Sequence, residues 1–475
     1  MKMSERIDTR RLLWLAGSAL ILVLLGGGIA AYTQTGGGTI EIRDVRFMGT
    51  NGTLMSALLY IPNGVTAENP APGILAVHGY INSRETQDGF AIEFARRGYV
   101  VLALDQTGHG YSDPPAFANG FGGPDGLRYL RSLDIVDKDN VAMEGHSMGG
   151  WASLAAAAVY PDDYKAIVLE GSSTGAPFAA DGTAEWPRNM ALVFAEWDEF
   201  SELMWGVELP KDIVGTDKLK TLFGTTDTVE IGRLYGSIED GTARQLYMPR
   251  GTHPNNHIST EAIGNAIEWM QKVLVGGNGL QPSDQIWYWK EIGSFVAFIG
   301  MTLFFFPVGA LLLQTAFFKE LSEPMPASKA ATGTSWWIAA ALSVVIPALT
   351  FFWLQNRGNE WFPASAFWPQ TITTGIMTWA VGNGLIVLAL FLVWHYQMNR
   401  SKGATFESYG VTWGGGLSWR KIMKSLLLAA CVAASGYLLL VLADTIFEID
   451  FRLWVLALKP MSFFQFHIFL AYLIP

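Results

Sequence analysis

Gly145-His146-Ser147-Met148-Gly149, with Gly150 behind it, sets a serine between glycines where a β-patterned run gives way to an alanine-rich one. Residues 140–144 read as the strand entering the serine, and residues 149–158 as the helix leaving it. A turn this sharp strains the backbone and tolerates only small neighbours, so the serine hydroxyl projects alone. That hydroxyl is a poor nucleophile at neutral pH. It needs a base within hydrogen-bond reach and a third group to orient the base. The chemistry indicated is acyl transfer through a covalent serine intermediate.

The elements that must position such a group lie in residues 39–275. Residues 39–46 and 53–61 are β-patterned and pair around the Asn51-Gly52 turn. Residues 73–77 form a continuous apolar run, expected of a strand buried on both faces. Further strands are expected at 99–104, 165–169, 190–194 and 245–248. Helices are expected at 90–97, 127–135 and 261–273, the last capped by Ser259 or Thr260. Strand–helix alternation of this kind implies a mostly parallel central sheet with helices on both faces.

Other motifs fall in a telling order. His78-Gly79-Tyr80 comes first, then Asp105-Gln106-Thr107-Gly108-His109-Gly110-Tyr111-Ser112, the serine turn, Asp198 at a strand end, and His253. In these residues the region 36–285 resembles the α/β-hydrolase family. The resemblance implies the α/β-hydrolase fold and a catalytic order of serine, acid, histidine. Of seven histidines, His78, His109 and His146 precede the serine, and His395 and His467 lie in the apolar C-terminal part, which leaves His253 as the favoured base and His257, restricted by helix entry two residues on, as the alternative. Asp198 is the favoured acid, with Glu170 the alternative. Met148 follows the nucleophile and opens a helix, so its amide serves as one oxyanion donor, and Tyr80 resembles the second. His78 is read as tying its loop in place, and Asp105 with Gly108 and Gly110 as loop architecture. No metal or organic cofactor is implied. The activity implied is hydrolysis of carboxylic esters of small-molecule or lipid kind, with peptide or amide cleavage and acyl transfer on the same triad as alternatives. A reading of another class is a non-enzymatic receptor or transporter with a hydrolase-fold outer domain.

Composition separates this region from the rest. Half of the residues are hydrophobic and only 16% are charged, and the net charge of −10 argues against nucleic-acid binding. The single cysteine, Cys431, rules out intrachain disulfides and multi-cysteine metal sites. Apolar runs at 12–31, 292–318, 335–354, 371–396 and 422–443 are long enough to cross a bilayer, and a shorter one starts at Met461 and stops at Pro475. Lys2, Arg6, Arg10 and Arg11 precede the first run. Lys319 and Lys329 fall in one later loop, and Arg400, Lys402, Arg420 and Lys421 in another; the alternating loops carry Arg357 in one and Arg452 with Lys459 in the other. This bias places the N-terminus in the cytoplasm and the hydrolase-like region outside. The expected organisation is a stub and anchor at 1–35, an extracytoplasmic domain at 36–285, and an all-α membrane domain of about five spans at 286–475. Gly375, Gly382 and Gly384 are expected to permit helix contact. The insertion at 200–243, with Trp205, Leu209, Leu222 and Phe223, is a candidate roof for an acyl pocket.

Overall fold

The computed structural model describes residues 8–323 and 333–473. Lys2, Arg6, Lys329 and Pro475, which entered the topology reading, lie outside the described residues. Two compact units form, one from Gly17–Phe304 with Tyr437–Lys459, the other from Met1–Ala16, Phe305–Gly436 and Pro460–Pro475.

In the first unit the apolar runs form a nine-stranded sheet. Its strands are β1 (Ile40–Met48), β2 (Leu54–Pro62), β3 (Ala71–Val77), β4 (Val100–Asp105), β5 (Val136–His146), β6 (Ala166–Glu170), β7 (Met190–Val193), β8 (Leu234–Tyr235) and β9 (Arg244–Tyr247). The order is β1-β2-β4-β3-β5-β6-β7-β9-β8. From β4 through β9 the pairs are parallel, whereas β1, β2 and the short β8 join antiparallel at the two edges. Every residue of β3 is buried. Its side chains alternate between the two faces, as the two-residue strand period requires. Leu75 and Val77 pack with Leu127, Leu130, Trp151 and Leu154, while Ile74 and Ala76 pack with Phe90, Phe94, Ile263 and Trp269.

Helices cover both faces. After the N-terminal α1 (Thr9–Gln34) come α2 (Asp88–Arg96), α3 (Gly123–Ser132), α4 (Met148–Val159), the short α5 (Ser201–Trp205) and α6 (Asp217–Phe223), and α7 (Thr260–Val273). The Ser259 hydroxyl accepts from the Ala262 amide and caps α7, as expected. α3 begins earlier than the sequence suggests, because Pro124 occupies its first turn, where a missing N–H costs nothing.

The long apolar helices are α1, α8 (Tyr288–Gln314), α9 (Thr334–Trp361), α10 (Thr371–Trp394) and α11 (Trp419–Phe447). Among the described residues these five elements are long and apolar enough to cross a membrane. The expected run from Met461 instead forms only α12 (Phe463–Phe469) and one 3-10 turn, too short for 30 Å of hydrocarbon. Between α11 and α12 the chain also folds an unanticipated hairpin, β10 (Phe451–Leu453) with β11 (Leu456–Leu458). In the second unit Gly375 approaches Gln355 and Gly382 approaches Leu354, so both serve the α9–α10 contact; Gly384 faces open space and does not.

α1 and α8 cross through small residues. A Cβ on Gly26 would stand 2.5 Å from the Gly293 oxygen, one on Gly293 would stand 2.6 Å from the Gly26 oxygen, and one on Gly300 would meet the Ala19 oxygen at 2.8 Å. Backbones this close gain dispersion contacts that only glycine permits. Gly293→Leu is expected to force the two helices apart at a cost of about 1–3 kcal/mol, read as a lower melting temperature of the full-length protein in detergent. An unchanged melting temperature would show that this crossing is not tight.

Candidate active site

Register carries the site. Val77 pairs with Gly145, His146 with Glu170, Glu170 with Val193, and Val193 with Tyr247. The carboxyl ends of β3, β5, β6, β7 and β9 therefore align at one sheet edge, where open parallel sheets bind ligands. Ser147 sits between β5 and α4 with φ 53° and ψ −119°, a conformation bulky L-residues avoid. Its amide donates to the Glu170 backbone oxygen at 2.7 Å. A side chain on Gly145 would run into the Gly149 backbone, and one on Gly149 into the Val77 and His78 carbonyls. The two glycines thus let the turn close against β3.

Beyond β7 and β9 the pairing continues into the loops. Glu196 N–H donates to the Pro249 oxygen at 2.9 Å and Trp197 N–H to the Gly251 oxygen at 3.0 Å. The two loops run side by side and deliver Asp198 and His253 to each other. His253 Nδ1 lies 2.9 Å from Asp198 Oδ2, and both residues are buried. Asp198 Oδ1 accepts from the Phe200 amide at 2.9 Å, and His253 N–H donates to Glu199 at 2.9 Å. A carboxylate only accepts, so this bond needs the proton on Nδ1, and in the neutral ring Nε2 then has the lone pair. Gly171, at φ +53°, makes the pair possible: a Cβ there would lie 3.0 Å from His253 Nδ1 and 3.2 Å from Asp198 Oδ2.

His257 does not share this arrangement. Its ring packs against His146 with centroids 3.9 Å apart and the planes tilted by 45°, and it forms no ion pair with a described carboxylate. Burial, then the neighbouring His253 and Arg452, pushes its pKa down to about 3. Glu170, the alternative acid, is buried without a side-chain partner; burial and then Glu144 push its carboxyl well above the usual range. It meets the serine through its backbone, not the histidine through its carboxylate. His146 is likewise buried, its Nε2 donating to the His253 oxygen at 3.0 Å, and burial holds it neutral. His78 Nε2 accepts from the Gln106 amide at 3.1 Å and Nδ1 donates to the Gly79 oxygen at 2.7 Å. Burial, then His109, lowers its pKa to about 4, so it is a neutral tie across the ends of β3 and β4. Asp105 accepts from the Arg84 and Tyr111 amides at 2.8 and 2.9 Å, which is the loop role read from its motif.

Ser147, Met148, His253, His257 and Tyr80 line one cavity of about 600 Å³. Met148 N–H stands at the first position of α4, where helix amides have no acceptor in their own helix. Trp151, Phe178, Leu203 and Met204 supply apolar walls, and so do Trp454, Val455 and Leu456 at the tip of the β10–β11 hairpin. Gly171 and this hairpin were not anticipated. The glycine gave no signal beyond its place after a strand, and the hairpin residues read as a charged loop between spans. Of the expected roof, Trp205 and Phe223 are core residues, whereas the α5 side chains Leu203 and Met204 reach the cavity.

The depressed histidines couple stability to pH. His257 titrates near 6.5 when unfolded and at about 3 when folded, so between those values the unfolded chain binds the extra proton. Its stabilising contribution is complete above pH 6.5 and is lost as pH falls toward 3. His257→Gln is expected to shrink the loss of stability between pH 6.5 and 5 by about 2 kcal/mol, measured by denaturant unfolding. An identical pH dependence in the variant would mean that the folded imidazole protonates freely.

Comparison with known proteins bears on the fold. Residues 72–202 match the family described as alpha/beta hydrolase fold. The chain is 33% identical over 105 residues to an uncharacterized protein of Mycobacterium bovis, covering 21% of this chain and 28% of that one. It is 29% identical over 140 residues to the monoacylglycerol lipase of Mycolicibacterium smegmatis, covering 27% and 46%. Less than half of either relative's length is therefore spanned. Among solved structures, an esterase of Pyrococcus furiosus is similar at 15% identity and a TM-score of 0.38, over 50% of this chain and 94% of that one. The matched family, the strand order and the serine turn agree: residues 40–273 are an α/β-hydrolase-fold domain, carried in one chain with helices long and apolar enough to span a membrane.

Proposed function

We propose that this chain is a membrane-anchored serine hydrolase of carboxylic esters, with Ser147 as nucleophile, His253 as base and Asp198 as its orienting acid. The observation that carries the reading is the 2.9 Å His253–Asp198 pair opening onto the same cavity as the strained Ser147. Ser147 Oγ attacks the ester carbonyl while His253 Nε2 takes its proton, and Asp198 stabilises the imidazolium. The Met148 and Tyr80 amides receive the oxyanion. Collapse expels the alcohol, which takes the proton from His253, and leaves an acyl-serine. Water, deprotonated by His253, then releases the acid and restores the serine. The apolar walls and the mycobacterial lipase among the relatives both favour esters with an apolar acyl part. Basic residues at Lys319 and at Arg400, Lys402, Arg420 and Lys421 support a cytoplasmic side opposite the hydrolase domain.

A fluorophosphonate probe, which reacts with activated serines, is expected to label the purified full-length protein and not Ser147→Ala. Asp198→Asn should lower ester turnover by on the order of 10³–10⁴-fold through the wrong histidine tautomer. Labelling that survives Ser147→Ala would refute the nucleophile. Turnover of anilides at rates matching those of esters would point to an amidase instead.

A further inference from the structure

The β10–β11 hairpin belongs, by sequence, to the apolar C-terminal part, yet its tip forms a wall of the Ser147 cavity. Its root is fixed by buried charges. Arg452 donates to Asp450 at 2.7 Å, to Glu291 at 2.8 Å and to the Glu85 backbone oxygen at 2.7 Å, and lies 3.3 Å from Asp88. Lys290 pairs with Asp450 at 2.5 Å and with Asp88. Lys459 pairs with Glu85 at 2.7 Å and stands 3.9 Å over the Tyr111 ring. Burial opposes ionisation of Glu85, but Lys459 and Arg84 hold its carboxyl well below the usual range.

The tip is built differently. Trp454 takes φ +54°, a conformation a bulky residue adopts only where its surroundings impose it. It is 55% exposed, and Leu456 is 49% exposed. Tyr80, Ile81, Phe117, Phe178, Phe200 and Leu203 are exposed in the same lining. An apolar rim of this kind marks a ligand-binding surface rather than a core. Moreover, the hairpin starts just past Phe447, the last residue of an apolar helix able to span a bilayer. With that helix in a bilayer, as the membrane-anchored reading has it, a cavity walled there would open beside the membrane surface, where long-chain amphiphiles concentrate.

We infer that this hairpin is the specificity-determining wall of the site, and that Trp454 and Leu456 hold the hydrocarbon chain of a long-chain ester whose carbonyl lies at Ser147. The inference rests on the serine-hydrolase reading. It adds which part of the molecule selects the substrate and by what chemistry. Each methylene buried against the wall is worth about fourfold in kcat/KM. Selection for chain length is therefore set by how much apolar wall the tip offers.

The test uses the purified full-length protein in detergent and p-nitrophenyl esters from acetate to laurate. The quantity read is the ratio of kcat/KM for laurate to that for acetate within each variant. Trp454→Ala, alone and with Leu456→Ala, is expected to lower that ratio by at least tenfold, chiefly through a higher KM for laurate. Leu456→Trp narrows the space at an exposed position and is expected to move the preferred ester to a shorter chain. Enlarging and narrowing changes must shift the profile in different ways, so one poorly folded variant does not decide the outcome. A short-chain fluorophosphonate reports whether the Ser147 site is assembled in each. If the wild type carries no Ser147-dependent label, the hydrolase reading fails. If labelling is intact but neither substitution alters the ratio or the preferred length, the hairpin is not the selecting wall.

Discussion

The turn at Ser147 holds its residue at φ 53°, and a non-glycine residue stays in such a conformation only where the surroundings impose it. Three neighbours impose it here. The Glu170 carbonyl takes the Ser147 amide, Gly145 admits the Gly149 backbone, and Gly149 lies against the carbonyls of Val77 and His78. Those partners come from β6, α4 and β3, so the turn is fixed only when β5 is flanked by both of its parallel neighbours. The central sheet and the reactive serine are thus one structural problem. Any change that loosens β3 from β5 releases the turn, whatever it does to the serine itself.

The same edge explains why histidine and aspartate meet. β7 and β9 are adjacent, and their ladder continues past the formal strand ends through Glu196, Trp197, Pro249 and Gly251. Asp198 and His253 are then neighbours by backbone geometry before any side-chain attraction acts. His146, inside the serine turn, donates to the His253 carbonyl and so ties the nucleophile's turn to the base's loop. A neutral, buried imidazole suits that role. Charging it would place a cation beside His253 and His257 in an apolar setting, which burial and those neighbours both oppose.

Much of this was legible because buried parallel strands must be continuous apolar runs. Residues 73–77 and 99–104 announce themselves that way, and the glycines around Ser147 announce the turn. Loop position favoured His253 over His257 without deciding between them. Both lie in one short loop, and only the register of β7 against β9 decides which of them reaches Asp198. Gly171 was invisible for a related reason: its need to lack a side chain comes from residues far along the chain. The hairpin failed differently. Its strands are short, and the force holding it is a set of ion pairs to Glu85, Asp88 and Glu291, none of which a local pattern records. In the sequence Arg452 and Lys459 were only loop charges. In the fold they are anchors.

Those anchors bear on where the functional unit ends. Glu85 and Asp88 belong to the turn and first residue of α2, just beyond the Tyr80–Asn82 segment that lines the cavity. Their cationic partners Lys290, Arg452 and Lys459 all come from chain beyond the sheet domain. Removing one side of a buried ion pair strands the other, a cost larger than the net worth of the intact pair. A chain stopped near residue 285 would keep every strand of the nine-stranded sheet, the serine turn and the His253–Asp198 pair. Glu85 would lose Lys459 and keep Arg84, Asp88 would lose Lys290 and Arg452 and keep only the Tyr60 hydroxyl among the described residues, and the cavity would lose one wall. Folding of the sheet and completion of the pocket are therefore separable: local apolar pattern secures the first, and charges delivered from the far end of the chain secure the second.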